Sequence, residues 1–209
     1  MKNTRSRGVR NRTSEPKRPE TPDRRVRRTK SSLHSALIGL AREKPYPAIA
    51  VKEILNRANV GRSTFYTHFR DKDDLLESGI HEVLQSAHGA ARPQAAVDRL
   101  LSFSLPLLTH IDEHRHAAGP QMKREGRLVM HARLGEALKE LVADDLAEVA
   151  FRSPKQTEVD LVAQHVASTF VLVLNWWVDS APTLTPADID ARFRELIEPT
   201  ITGLMNKPS

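Results

Sequence analysis

The chain of 209 residues contains no cysteine. That absence excludes disulfides, cysteine-based zinc sites and thiol nucleophiles together, and it suits a reducing cytoplasm, where the protein is expected to act. Three patterns that carry common chemistries are also missing: a glycine-rich nucleotide loop, the paired-histidine helix of metalloproteases and the nucleophile elbow of hydrolases. Isolated acids and histidines occur, but no spacing gathers them into a catalytic site. No enzyme and no cofactor is expected. No segment alternates apolar and polar residues as a half-buried strand does, and no internal repeat is present. The charged N-terminus is followed by no apolar run, so a secretory leader is not expected.

One run lacks formal charge, the 18 residues Leu161–Val178. It includes Gln164, His165, Ser168, Thr169 and Asn175, and Asp160 and Asp179 flank it. A membrane-spanning helix needs about 20 mostly apolar residues, usually with basic or aromatic anchors. A buried helix in a large interface is therefore expected, and no membrane partner.

What is present begins with charge. The net charge is +6, and residues 1–30 hold twelve Lys or Arg against Glu15, Glu20 and Asp23, which leaves the remainder mildly acidic. A basic arm on an acidic body suits a polyanion bound at one end. Residues 1–22 offer only Met1 and Val9 as apolar side chains and carry prolines at 16, 19 and 22, so this arm is expected to be disordered in isolation. It is either a solubilising tail or a contact to phosphates and the minor groove, with Arg27 and Arg28 as candidate contacts next to it.

From Asp23 onward the apolar spacing is helical. Val26, Leu33, Leu37, Leu40 and Ala41 mark a first helix, which Pro45-Tyr46-Pro47 ends. Val51, Ile54, Leu55 and Ala58 mark a second of about two turns. Asn59-Val60-Gly61 is a short turn, and a brief helix follows over 62–67. Asp71 is a predicted N-cap for a longer helix carrying Leu75, Leu76, Ile80, Val83 and Leu84. Further helices are expected over Val97–Leu108 with a kink at Pro106, over a short stretch His116–Lys123, from Leu128 to near Phe151, over Thr157–Ser180, and from a Thr185 cap with Pro186 at the first helical position through Leu204. The expected fold is all-α with about nine helices: a 1–22 arm, a 23–76 helix-turn-helix domain and a larger 77–209 helical domain.

The informative stretch is 51–76, VKEILNRANVGRSTFYTHFRDKDDLL. A helix-turn-helix joins two short helices by a tight turn and projects polar groups of the second into the major groove. Here Ile54, Ala58, Val60, Phe65 and Phe69 supply a small core behind the second helix. Arg62, Ser63, Thr64, Tyr66 and Thr67 are left to face outward. Arg forks onto guanine, Ser and Thr hydroxyls reach phosphates or bases, and a Tyr hydroxyl binds phosphate. Lys72, in the first turn of the following helix, is placed to share a phosphate with backbone N–H groups.

Ala58, Val60, the run Ser63-Thr64-Phe65-Tyr66-Thr67-His68-Phe69, Lys72 and Leu75 stand in the order of the TetR/AcrR signature, with Tyr46 as the aromatic that precedes it. Residues 24–76 thus resemble the TetR/AcrR family of transcriptional regulators. Asn59 and Gly61 stand where that family usually has Gly and Ser, and Ala50 where it often has Thr or Ser, which removes a side-chain cap and a phosphate contact. The resemblance implies a DNA-reading surface of Arg62, Ser63, Thr64 and Tyr66, with His68 and Lys72 at phosphate. It implies a homodimer on a palindromic operator, joined through the last two long helices, with Phe170, Leu174, Trp177, Phe193, Ile197 and Ile201 as interface candidates. It further implies a repressor answering an unknown small-molecule effector that enters the helical body, with Phe103, Leu107, His110, Met122, Met130, His131 and Phe170 as candidate lining residues. The alternatives are a sequence-nonspecific architectural DNA-binding protein and an all-α enzyme.

Two features have plainer readings. His110, His114 and His116 with Asp112 and Glu113 resemble a metal cluster, but such groups also populate solvated helix faces, and no metal is expected. Trp176 and Trp177 are adjacent on one helix, so only one of them faces any given surface, and core or dimer packing is the reading adopted over ligand stacking.

Overall fold

The computed structural model describes residues 22–89, 96–116, 124–149, 156–180 and 183–205. Nine α-helices and one 3-10 turn make up the described residues, and no strand occurs among them. The helices are α1 Pro22–Glu43, α2 Val51–Ala58, α3 Arg62–His68, α4 Lys72–Gly89, α5 Ala96–Leu100, α6 Ser104–His116, α7 Arg124–Val149, α8 Gln156–Ser180 and α9 Pro186–Met205; the 3-10 turn is Tyr46–Ala48. Of the expected 1–22 arm, residues 1–21 lie outside the described residues and Pro22 begins α1; of the short helix expected over His116–Lys123, His116 ends α6 and 117–123, with the candidate lining residue Met122, lie outside them.

Two apolar cores divide the molecule. The smaller joins Leu33, Leu37 and Leu40 of α1 to Ile54 and Leu55 of α2, Phe65 of α3, Phe69, and Leu75 and Leu76 of α4. It makes a head of three short-range-packed helices plus the start of α4. The larger gathers the end of α4 with α5–α9 around Phe103, Phe170 and Phe193, whose rings meet at centroid distances of 5.3 to 6.2 Å. α4 belongs to both cores, and Val129 and Met130 of α7 pack on the head.

The helix ends follow their sequence signals. Asp71 Oδ1 accepts from the backbone N–H groups of Asp73 and Asp74, each at 2.9 Å, so it is the N-cap of α4. Thr185 and Asp188 form a reciprocal cap at α9: Asp188 N–H donates to Thr185 Oγ1 and Thr185 N–H to Asp188 Oδ2. The kink expected at Pro106 is not where the chain bends. The break falls upstream at 101–103, and Pro106 sits in the first turn of α6, where its missing N–H would have had no helical partner.

α8 is long and apolar enough to cross a membrane by length and composition. It packs instead between α7 and α9, with Ala163, Val166, Ala167, Phe170, Leu174 and Trp177 buried in the larger core.

Candidate nucleic-acid interface

The interface is built on the turn between α2 and α3. α2 ends with Asn59 in the left-handed region (φ 53°, ψ 47°), which Asn tolerates better than most residues. Val60 N–H then reaches back to Leu55 O at 3.1 Å and Asn59 N–H to Asn56 O at 3.3 Å, a double closure that reverses the chain within three residues. At its other end α2 is held by Glu53, whose carboxylate accepts the Ala50 N–H at 2.9 Å and the Lys44 ammonium. Gly61 begins α3 without any side-chain cap, as the sequence implies.

α3 presents two faces of opposite character. Phe65 is fully buried against the head core, and Phe69, just past the helix, is buried beside it with ring centroids 5.7 Å apart. Arg62, Ser63, Thr64, Tyr66 and Thr67 are all exposed, while His68 is half-buried with its ring against Phe69. The exposed set is partly pre-ordered. The Arg62 guanidinium lies over the Tyr66 ring at 5.5 Å, and Thr67 Oγ1 donates to Ser63 O at 3.0 Å. That internal bond uses the hydroxyl hydrogen of Thr67, so its free lone pairs suit a donor such as a base amino group rather than a phosphate.

The acids near this face are engaged elsewhere. Asp71 caps α4, Asp73 Oδ1 accepts the Tyr46 hydroxyl at 2.6 Å, and Asp74 Oδ2 accepts the Arg70 N–H at 2.8 Å. Burial, followed by the bond to Asp73, raises the Tyr46 phenol well above its ordinary range and keeps it protonated. Arg27 and Arg28 are exposed on α1. Lys72 sits differently from the expectation. It is half-buried, and its ammonium donates to the carbonyls of Tyr46, Pro47 and Ile49 at 2.9, 3.2 and 3.0 Å.

The interface residues read from the sequence need correction. Phe170, Leu174, Trp177, Phe193, Ile197 and Ile201 are all at most 1% exposed inside one chain, so none can touch a partner. Trp177 is further fixed by its indole N–H on Leu184 O at 2.9 Å. The apolar groups that α8 and α9 do expose are Leu161 (71%), Leu172 (64%), Trp176 (41%) and Leu196 (55%). Helical spacing puts Leu161, His165, Ser168, Leu172 and Trp176 on one stripe of α8.

The described candidate lining residues occupy several settings. Phe103, Leu107 and Phe170 are packed in the larger core, whereas Met130 lies against the head. His131 is buried with Nδ1 2.7 Å from Asn175 Oδ1, and burial lowers its pKa. His110 is half-buried and stacks on His114 at 4.1 Å; burial lowers its pKa first, and His114 lowers it further. Among the described residues no group of three or more His, Cys, Asp or Glu is arranged to hold a metal.

Two polar ties were not visible in the sequence. Arg42 at the end of α1 donates to His114 O of α6 at 3.1 Å, joining head to body. His88 at the end of α4 stands between Ser102 (Oγ to Nδ1, 3.0 Å) and Asp145 of α7 (Nε2 to Oδ1, 3.4 Å). The order Ser–His–carboxylate is that of a hydrolase relay, but Ser102 is itself buried and turns no nucleophile toward a substrate. The cluster ties α4 to the body instead.

A short exposed helix propped from behind by two phenylalanines, preceded by a second helix and a three-residue turn, defines a helix-turn-helix protein. Residues 34–78 match the family described as bacterial regulatory proteins, tetR family. A stretch of 59 residues is 39% identical to the HTH-type transcriptional regulator YxbF of Bacillus subtilis (strain 168); it makes up 28% of this chain and 16% of that protein. Similar solved structures include a TetR transcriptional regulator of Streptococcus agalactiae 2603V (TM-score 0.52, 22% identity, 84% of this chain and 96% of that one). A TetR-family transcriptional regulator of Syntrophomonas wolfei superimposes with TM-score 0.56 at 16% identity, over 87% of this chain and 99% of that one. Tylp, a tetr regulator from Streptomyces fradiae, does so with TM-score 0.54 at 17% identity, over 85% and 87%. The structures share the fold, and the sequence match lies on the head. Over residues 34–78 the head is similar to the tetR family, and the body is matched in fold alone.

Proposed function

We propose that this protein is a cytoplasmic transcriptional regulator that binds a palindromic DNA operator as a homodimer and releases it in response to a small ligand. The observation that carries the reading is α3: its exposed face is polar and contains no acid, and its other face is anchored by the fully buried Phe65. Arg62, Ser63, Thr64, Tyr66 and Thr67 are the residues assigned to base edges and phosphates, with His68, Arg27 and Arg28 at the backbone. Two such heads reading successive major grooves need a fixed spacing, which a dimer sets. The exposed stripe Leu161–Leu172–Trp176 on α8, with Leu196 on α9, is the apolar surface proposed for that contact.

A ligand acts only through its difference in affinity between two arrangements of head and body. The junction through which such a difference would travel includes Met130 and Val129 on the head core and the Arg42–His114 bond. Division of the chain into a DNA-binding head (23–76) and a ligand-binding and dimerisation body (77–209) belongs to the same reading, as does repression rather than activation. Footprinting on DNA adjoining the protein's own coding region tests it. A discrete protected site with two-fold symmetry is expected; uniform protection of any duplex would favour the architectural alternative, in which affinity ignores sequence and falls steeply with salt.

A further inference from the structure

The segment between Tyr46 and Lys72 contains the whole helix-turn-helix, and these two residues bond to each other's surroundings at both of its ends. Lys72 Nζ donates to Tyr46 O at 2.9 Å, Ile49 O at 3.0 Å and Pro47 O at 3.2 Å. An ammonium has three N–H donors, and here each has a carbonyl. Nζ also lies 4.8 Å from the centre of the Tyr46 ring. In return the Tyr46 hydroxyl donates to Asp73 Oδ1 at 2.6 Å, with Lys72 O 3.2 Å away.

The three carbonyls belong to the 3-10 turn and the extended residue that enters α2; Tyr46 O already accepts the Ile49 N–H at 3.1 Å and gains Lys72 as a second donor, while Pro47 O and Ile49 O lie outside any regular helix ladder. Lys72 begins α4, immediately after the chain leaves α3. The contacts therefore pin the entrance of α2 to the exit of α3, although the bonded residues are 23 to 26 positions apart.

We infer that Lys72 is a positioning residue, which together with Tyr46 clips the two ends of the helix-turn-helix and so sets the pose of α3, and that its ammonium is not a phosphate contact. A phosphate would have to displace carbonyls that already satisfy every donor. The inference rests on the reading of α3 as the DNA-contacting helix.

Arginine separates the two roles. A guanidinium serves a phosphate as well as or better than an ammonium, but its planar fork cannot offer three donors to carbonyls clustered about one point. Full-length wild type, Lys72→Arg, Lys72→Met and Tyr46→Phe are compared on the footprinted duplex and on a scrambled duplex, across a salt series. Amide hydrogen exchange of α3 is measured on the same proteins without DNA. Lys72→Arg and Lys72→Met are each expected to lose about tenfold or more in the ratio of specific to scrambled affinity. In Lys72→Met the slope of log affinity against log salt stays at the wild-type value, and α3 amides exchange faster in both variants. Tyr46→Phe, which removes only the hydroxyl tie to Asp73, moves the same readouts in the same direction by less, and serves if Lys72→Met does not fold.

Wild-type affinity in Lys72→Arg, or a salt slope shallower by about 0.9 in Lys72→Met, overturns the inference and restores a phosphate contact. Should wild type prefer no duplex at all, the DNA-reading assignment fails while the clip is still decided by exchange. Faster α3 exchange in the variants then supports it, and unchanged exchange overturns it.

Discussion

Phe65 and Tyr66 are neighbours in sequence, and their rings stand 5.2 Å apart at 87°, yet one is 0% and the other 49% exposed. On α3 a single step along the chain separates the anchor from the probe. Each can be removed without the other, and the consequences differ in kind.

Phe65→Ala empties the centre of the head. Truncating a buried Phe costs about 3–5 kcal/mol. Chemical denaturation should show a loss of that size, and DNA affinity should fall on every sequence alike because the head itself is compromised.

The exposed stripe of α8 makes the corresponding contrast in the body. Trp176→Glu and Leu172→Glu should leave the melting temperature of each chain nearly unchanged but shift the protein to monomers in analytical ultracentrifugation, since an unpaired charge in an apolar contact opposes association. Trp177→Ala should instead destabilise each chain by about 3–5 kcal/mol. A dimer that survives both charge substitutions would remove this face from the account.

His88 compensates a buried carboxylate. Burial raises the pKa of Asp145, and His88 and then Arg99 pull it back down; its Oδ2 has no hydrogen-bond partner. His88→Ala leaves Asp145 with Arg99 alone, 3.6 Å away, and removes the partner of the Ser102 hydroxyl, so it should cost about 1–3 kcal/mol. Asp145→Asn in the same chain should restore much of that loss in thermal unfolding.

Acid should weaken the fold through three other histidines. Burial holds His34, His110 and His131 below their ordinary value of 6.5. The unfolded chain therefore binds protons that the folded chain refuses, so the stability from these groups is present above 6.5 and is lost as pH falls below it. His131→Gln keeps a donor for Asn175 and cannot be charged. Its melting temperature should decline less steeply than that of wild type over that range.

How much of this was legible depends on the range of the signal. The α2–α3 turn, the Asp71 cap and the Thr185–Asp188 cap are local, each set by residues within five positions of one another, and the structure has them where the sequence implies. The buried set behind α3 was legible for the same reason. The face of α8 was not. That helix is apolar nearly all round, so its strongest stripe, Phe170–Leu174–Trp177, reads equally as core or as interface, and only packing against α7 and α9 assigns it to the core. For Lys72 the sequence offers a cation in a first helical turn, a position that suits phosphate. The three carbonyls that hold it arise from a turn whose fold is tertiary. The Arg42–His114 and His88–Asp145 ties join residues 72 and 57 positions apart, and no local pattern marks them.

The claim on which the account turns is that the outward face of α3 reads base sequence. Its most direct measure is the ratio of affinity for the footprinted duplex to that for a scrambled one, in wild type, Thr64→Ala and Tyr66→Ala. Each substitution should reduce that ratio by about 1–3 kcal/mol while leaving thermal stability and scrambled-duplex affinity nearly intact. An undiminished ratio in both variants would contradict it.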